Sequence, residues 1–155
     1  MKILVVSDTH GNHLTPLELL EETGAEMLIH LGDEFNDALK LAQLTGIPVI
    51  KVPGNCDNKG IEPRELLELI SGRKFFITHG DIYRVKNGLN RLIEKAEELH
   101  ASVVLFGHTH MPLIQNQDGV LLINPGTLMS GSDSKSYALL TVTHAKVTAE
   151  IIHLF

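Results

Sequence analysis

Five short apolar runs in this chain are each followed, within a few residues, by side chains able to bind a metal ion. Ile3-Leu4-Val5-Val6 leads to Asp8 and His10, and Met27-Leu28-Ile29-His30-Leu31 leads to Asp33. Val49-Ile50-Lys51-Val52 leads to Asn55, Phe75-Phe76-Ile77-Thr78 to His79, and Val103-Val104-Leu105-Phe106 to His108 and His110. Runs this short and this apolar read as buried strands. In an open α/β sheet, ligands gather outside the carboxyl ends of the strands. The spacing therefore predicts a fold in which separate strand ends aim oxygen and nitrogen ligands at one crevice.

The segments between the runs fit that frame. Strand 2–7 is expected to lead into a helix opened by Thr15, with Pro16 at its first position, Glu18 completing a capping box and Gly24 ending it. Strand 27–32, a short helix near 36–44 and strand 47–52 follow. The pattern then predicts a helix from about Pro63 to Gly72, strand 74–79, a helix at about 88–100 and strand 102–106. The helix at 88–100 places Leu89, Leu92, Ile93, Ala96 and Leu99 on one face. After Gly107 the chain becomes strand-rich. Residues 112–117 and 119–124 read as a hairpin turning at Asp118-Gly119, and 136–143 with 146–154 as a further pair. An alternating half followed by a strand-rich third predicts an α/β fold: a four-layer α-β-β-α sandwich of two mixed sheets flanked by helices. No linker divides the chain, so one domain spanning 1–155 is expected.

Composition narrows the function. With 155 residues, an apolar fraction of 43% and a net charge of −6, the chain has a sizeable core and no basic footprint for nucleic acid. Its one cysteine, Cys56, excludes an internal disulfide and fits a reducing, cytoplasmic setting. No apolar stretch reaches membrane-spanning length. Cleavage after the first apolar run would remove Asp8, so that run is expected to be a strand rather than a signal peptide.

Each ligand candidate has a plainer reading. Asp8-x-His10 alone is surface turn chemistry, Asp33 after Gly32 is a helix N-cap, and Gly54-Asn55-Cys56-Asp57 is a turn. A lone His79 is a structural histidine. His108 and His110, two imidazoles at i and i+2 in a glycine-flanked loop, are harder to dismiss. Taken together at five strand ends, the plain readings fail and a metal site is expected. Asn55 would offer its amide oxygen, and Asp57 would stand behind the ligands or on the substrate side. Cys56 lacks a second thiol and reads as a loop residue, and Asp37 as part of the following helix. His30 is expected to pack within its strand; His13 is near the first ligand loop, whereas His100, His144 and His153 have no partner motif. Asn124-Pro125-Gly126-Thr127 reads either as a wall of the crevice or as a hairpin-ending turn.

From Ser7-Asp8-Thr9-His10-Gly11-Asn12 to Asn124-Pro125-Gly126-Thr127, these ordered blocks resemble the calcineurin-like metallophosphoesterase superfamily. The likeness is greatest to its small single-domain phosphodiesterases of the YfcE type. The resemblance implies Asp8, His10 and His110 on one metal and Asn55, His79 and His108 on the other, with Asp33 bridging both. It implies two divalent cations, manganese first, with nickel, zinc, iron or cobalt as substitutes, since the ligands are oxygen and imidazole without thiolate. The implied activity is hydrolysis of small phosphodiesters by in-line attack of a metal-bridging hydroxide, with Asp33, Asn55, Asp57 and His79 in the catalytic machinery. Two dications, two carboxylates and one hydroxide leave a formal charge of about +1, which a diester monoanion neutralises. The alternatives are a phosphomonoesterase or nucleotide phosphatase, and a non-catalytic scaffold of the retromer-subunit type. Relatives are often dimers or tetramers; no nucleic-acid or membrane partner is implied. Three positions depart from the wider pattern. Cys56 stands where many members have a histidine, Asp81 where close relatives often have another, and Lys135 near where many show an arginine.

Overall fold

The computed structural model describes residues 1–58 and 62–155. Its strands are β1 (Lys2–Val6), β2 (Met27–His30), β3 (Val49–Lys51), β4 (Glu65–Ile70), β5 (Arg73–Thr78), β6 (Val103–Leu105), β7 (Leu113–Gln117), β8 (Val120–Asn124), β9 (Lys135–Val142) and β10 (Val147–Leu154). Three α-helices accompany them: α1 (Leu14–Thr23), α2 (Phe35–Thr45) and α3 (Asn90–Glu98). The strands form two five-stranded sheets, in the orders β10-β9-β1-β2-β3 and β4-β5-β6-β8-β7. Both sheets are mixed. β1, β2 and β3 run parallel, as do β5, β6 and β8, while β9, β10, β4 and β7 pair antiparallel.

The apolar runs are continuous because the central strands are buried on both faces. In β1, Ile3 and Val5 join Phe75, Ile77, Val103 and Leu105 between the sheets. Leu4 and Val6 face the other way, onto Leu19 and Leu20 of α1 and Leu41 of α2. In the second sheet Phe76, Val104 and Leu122 pack on Leu92, Ile93 and Ala96 of α3. The layers are therefore helices, sheet, sheet, helix, as the sequence predicts. Among the described residues no helix is long and apolar enough to cross a membrane.

Two expectations fail locally. The helix expected from Pro63 to Gly72 is instead strand β4, paired antiparallel with β5 from Glu65↔Thr78 to Ile70↔Arg73. Glu-Leu-Leu-Glu-Leu-Ile suits a helix by propensity, and its leucines satisfy helical spacing as well as they fit a strand. Tertiary pairing decides, through a tight turn at Ser71-Gly72 with φ of 49° and 80°. The capping box at Thr15 is also absent. Helix α1 begins at Leu14, and Asn12 Oδ1 accepts the Thr15 backbone N–H at 3.3 Å while its Nδ2 donates to Leu128 O at 2.8 Å. The chain turns into the helix two residues earlier than expected because Asn12 is tied to the segment after β8.

Candidate metal centre

Parallel pairing of β1 with β2 and β3, and of β5 with β6, puts the loops after these strands at one end of the sandwich. The loops are stitched to each other by backbone hydrogen bonds: Asp8 N–H to Gly32 O (2.9 Å), His10 N–H to Asp33 O (3.0 Å) and Gly107 N–H to His79 O (2.8 Å). Gly107 allows the two sheets to close here, since a Cβ at that position would lie 2.1 Å from Ser7 Oγ. Asp8, His10, Asp33, His108 and His110 all adopt left-handed backbone, with φ between 44° and 71°. Such conformations cost non-glycine residues about 1–3 kcal/mol each and gather at functional sites.

Two groups of side chains converge: Asp8, His10 and His110, and Asp33, His79 and His108. Asp8 is fully buried. Its Oδ2 accepts from Ser7 Oγ (2.5 Å) and from the His108 backbone N–H (3.2 Å). Its Oδ1 is buried without a hydrogen-bond partner and faces Nε2 of His110 at 3.2 Å and of His10 and His79 at 3.9 Å. His10 Nε2 is likewise buried and unpartnered. In the second group His79 Nδ1 lies 2.7 Å from Leu31 O, a carbonyl that can only accept, so Nδ1 carries the proton. In the neutral ring Nε2 then presents a lone pair to Asn55 Oδ1 (3.0 Å), His108 Nδ1 (3.2 Å) and Asp33 Oδ2 (3.4 Å). With Asp8 Oδ1 and His10 Nε2 also unpartnered, this concentration of oxygen and imidazole ligand atoms fits divalent cations.

The electrostatics agree. Burial pushes the Asp33 carboxyl up, but hydrogen bonding and charge from His79, with the Cys56 N–H, hold it well below the usual carboxylate range. Asp8 is lowered too: burial opposes this, and the close approach of His110 and the charge of His79 prevail. His79 is raised despite burial, because Asp33 and Asp8 face it. Both carboxylates are thus ionised at neutral pH and ready to bind cations.

Residues 1–145 match the calcineurin-like phosphoesterase superfamily domain. The chain belongs to that superfamily. It is 35% identical over 152 residues, covering 96% of the chain and 88% of the relative, to the Bacillus subtilis protein named "Probable metallophosphoesterase YsnB". It is 28% identical over 171 residues to phosphodiesterase YfcE of Escherichia coli K12, covering 90% of the chain and 87% of that protein. Among solved structures, a Streptococcus pneumoniae protein superposes with a TM-score of 0.82 at 24% identity, over 98% of this chain and 88% of that one. Zinc-bound Vps29 of Entamoeba histolytica does so with a TM-score of 0.78 at 18% identity, over 99% of each chain. These last two show the shared fold.

The residues that support this centre are only partly visible in the sequence. Asp57 is engaged with the backbone of the ligand loops. Its Oδ2 accepts the backbone N–H of Asp33 (2.9 Å) and Gly54 (2.8 Å), and its Oδ1 that of Phe35 (2.8 Å). The carboxylate caps α2 from a distance and fixes the Asp33 loop. Cys56 is exposed, and its backbone N–H, at 2.9 Å from Asp33 Oδ1, leaves Oδ2 to face His79. Asn124 and Thr127 brace the ligand loops: Asn124 Nδ2 donates to Gly107 O at 3.2 Å and Thr127 Oγ1 to Asp8 O at 2.8 Å. Asp81 pairs with Arg64, and His13 joins neither ligand group. The cation felt by both His108 and His110 is Lys86, an exposed residue with no sequence motif to single it out.

His30 and Asp37 form a buried relay that sequence spacing did not reveal. Gly32 N–H donates to His30 Nδ1 (3.1 Å), so His30 Nε2–H donates to Thr9 Oγ1 (2.9 Å), whose hydroxyl donates to Asp37 Oδ2 (2.6 Å). Asp37 Oδ2 also accepts the Gly11 N–H at 2.9 Å. The relay links both carboxylate-bearing loops to α2. Burial lowers the His30 pKa to about 4. The unfolded chain takes up this proton near pH 6.5 and the folded one near 4, so stability is lost as pH falls through that window. The loss is about 3 kcal/mol, by linkage from the same two pKa values. Denaturant midpoints of His30→Gln measured from pH 7 to 4 are expected to fall less steeply than those of the parent protein. Equal slopes would remove His30 from this role.

Proposed function

We propose that this phosphoesterase is a two-metal phosphodiesterase acting on small diesters. The observation that carries the reading is the pair of facing ligand groups, each with an ionised carboxylate whose inward oxygen is left to the site. In this reading Asp8, His10 and His110 hold one ion, and Asn55, His79 and His108 hold the other. Asp33 would be shared between them, its Oδ1 being bonded to Cys56 N–H and its Oδ2 free to face the site. Divalent cations held there, manganese first, would acidify a bound water toward neutral pH and would clamp the phosphate for in-line displacement. The chain's own part is to fix the ligands: His79 is locked by Leu31 O, and Asp8 by Ser7 Oγ and His108 N–H. Slight desolvation of the exposed Cys56, with the charge of Asp33, pushes its thiol up, so it stays protonated at neutral pH. YfcE, named a phosphodiesterase, supports the ester class, and the lone exposed thiol supports a cytoplasmic setting.

The test is metal add-back after chelation, using manganese and a matched pair of chromogenic aryl phosphomonoester and phosphodiester. Restored turnover, faster on the diester, is the expected result. Faster turnover of the monoester would replace the reading with a phosphomonoesterase. Metal uptake without turnover on either would replace it with a scaffold of the kind Vps29 represents.

A further inference from the structure

Beside the ligand loops lies a cavity of about 360 Å³, near the lower end of the range for small-molecule sites. Its walls are Val85, Leu89, Phe106, Met111, Pro112 and Leu113. It is continuous in sequence with the centre on two sides: residues 106–113 contain His108 and His110, and Val85 packs where a Cβ on Gly80, next to His79, would stand, 2.9 Å from Val85 Cγ2. Lys86 at the rim adds one positive charge, suited to an anion held between cavity and ligands.

The neutral polar groups in the lining are already engaged. Asn124 Nδ2 donates to Gly107 O and to Thr109 Oγ1 (3.0 Å), and its Oδ1 accepts the Gly126 N–H at 2.9 Å. Thr109 Oγ1 also accepts the Met111 N–H at 3.1 Å. A nucleobase buried here would leave its own donors and acceptors unmatched, a costly outcome, whereas an apolar ring would lose nothing.

We propose that this cavity takes the apolar, ring-sized organic group of the substrate, with Lys86 drawing the attached phosphate toward the His108–His110 loop. The inference rests on the phosphoester reading above and deepens it by naming the substrate class: an aryl or similarly apolar ester rather than a nucleotide.

A binding experiment tests this without relying on turnover. Zinc-loaded protein carrying ¹³C-methyl methionine is titrated with phenylphosphonate, methylphosphonate and a nucleoside 5′-phosphonate, whose C–P bonds are not hydrolysed. Met111, 70% exposed on the cavity wall, is the reporter. The expected result is a ring-current shift of the Met111 methyl with phenylphosphonate, which should bind at least about tenfold tighter than methylphosphonate from apolar burial. Lys86→Met should weaken both about threefold while keeping the saturated Met111 shift. Equal affinities with an unmoved Met111 signal would overturn the proposal, and so would tightest binding by the nucleoside phosphonate. Because the readout is binding, a protein that hydrolyses diesters yet fails here refutes the cavity assignment alone. One that binds as expected but turns over nothing refutes the activity alone.

Discussion

Replacing Asp33 by Asn is expected to lower metal-dependent hydrolysis by roughly three orders of magnitude and to deplete both metals together. The side chain keeps its size and most of its contacts, so the effect isolates charge. Asp33 Oδ1 accepts the Cys56 N–H, and Oδ2 faces His79 Nε2 at 3.4 Å. An amide in this position either turns its NH₂ toward the Cys56 N–H, opposing two donors, or turns it inward, presenting hydrogens where a cation should sit. The first orientation leaves the shared site a neutral oxygen in place of a charged one, and the second removes the ligand altogether. Metal content per chain and diester turnover, measured on the same preparation, are the two readouts. Asp8→Asn is the informative control, since it should deplete one ion before the other. An Asp33→Asn protein that keeps two metals and a rate within a few-fold of the parent would remove Asp33 from the bridging position.

Gly32→Ala is expected to be the most destabilising of the conservative changes near the centre. Gly32 has φ of 103°, a conformation that side-chain-bearing residues rarely adopt, and an added Cβ would lie 2.5 Å from Gly54 N and 2.8 Å from Gly54 Cα. The obstacle is backbone, not a rotatable side chain, so the loop carrying Asp33 and the loop carrying Asn55 must separate. Overpacking of this kind, added to the backbone strain, costs about 3 kcal/mol. Guanidinium melts of the metal-free protein should show the loss directly. Gly119→Ala offers the comparison: its φ of 84° carries similar strain, but nothing lies within 4 Å of the added methyl. If both variants lose the same stability, the close approach of the two loops contributes nothing and backbone strain alone explains the result.

The centre was more legible in sequence than some of its scaffold. Asp8, His10, Asp33, Asn55, His79, His108 and His110 could be read because strand ends announce themselves: a doubly buried strand must be apolar, and the first polar residue after it marks its exit. β4 could not be read this way. It is an edge strand with Leu67 and Leu69 exposed, so no burial pattern separates it from a helix, and Gly72 suits a helix end as well as a hairpin turn. The supports were hidden for a different reason. Asp57 reaches Asp33 and Phe35 across more than twenty residues, and Asp37 meets Thr9 across 28. Such contacts exist only after the parallel strands have aligned, and a buried carboxylate holding backbone N–H groups looks in sequence like any acidic loop residue. The cap of α1 failed similarly, since Asn12 is fixed by Leu128, more than a hundred residues away.

The left-handed backbone at Asp8, His10, Asp33, His108 and His110 has a consequence for how this family can drift. A position that demands positive φ admits glycine readily and, among side-chain-bearing residues, mainly asparagine, aspartate and histidine. Three of those four carry a metal-binding atom. The geometry of the loops therefore filters substitutions before chemistry does: most changes tolerated by the backbone exchange one coordinating group for another. Members of such a lineage can exchange metal preference through single viable steps, whereas complete loss of coordination at these positions is channelled through glycine.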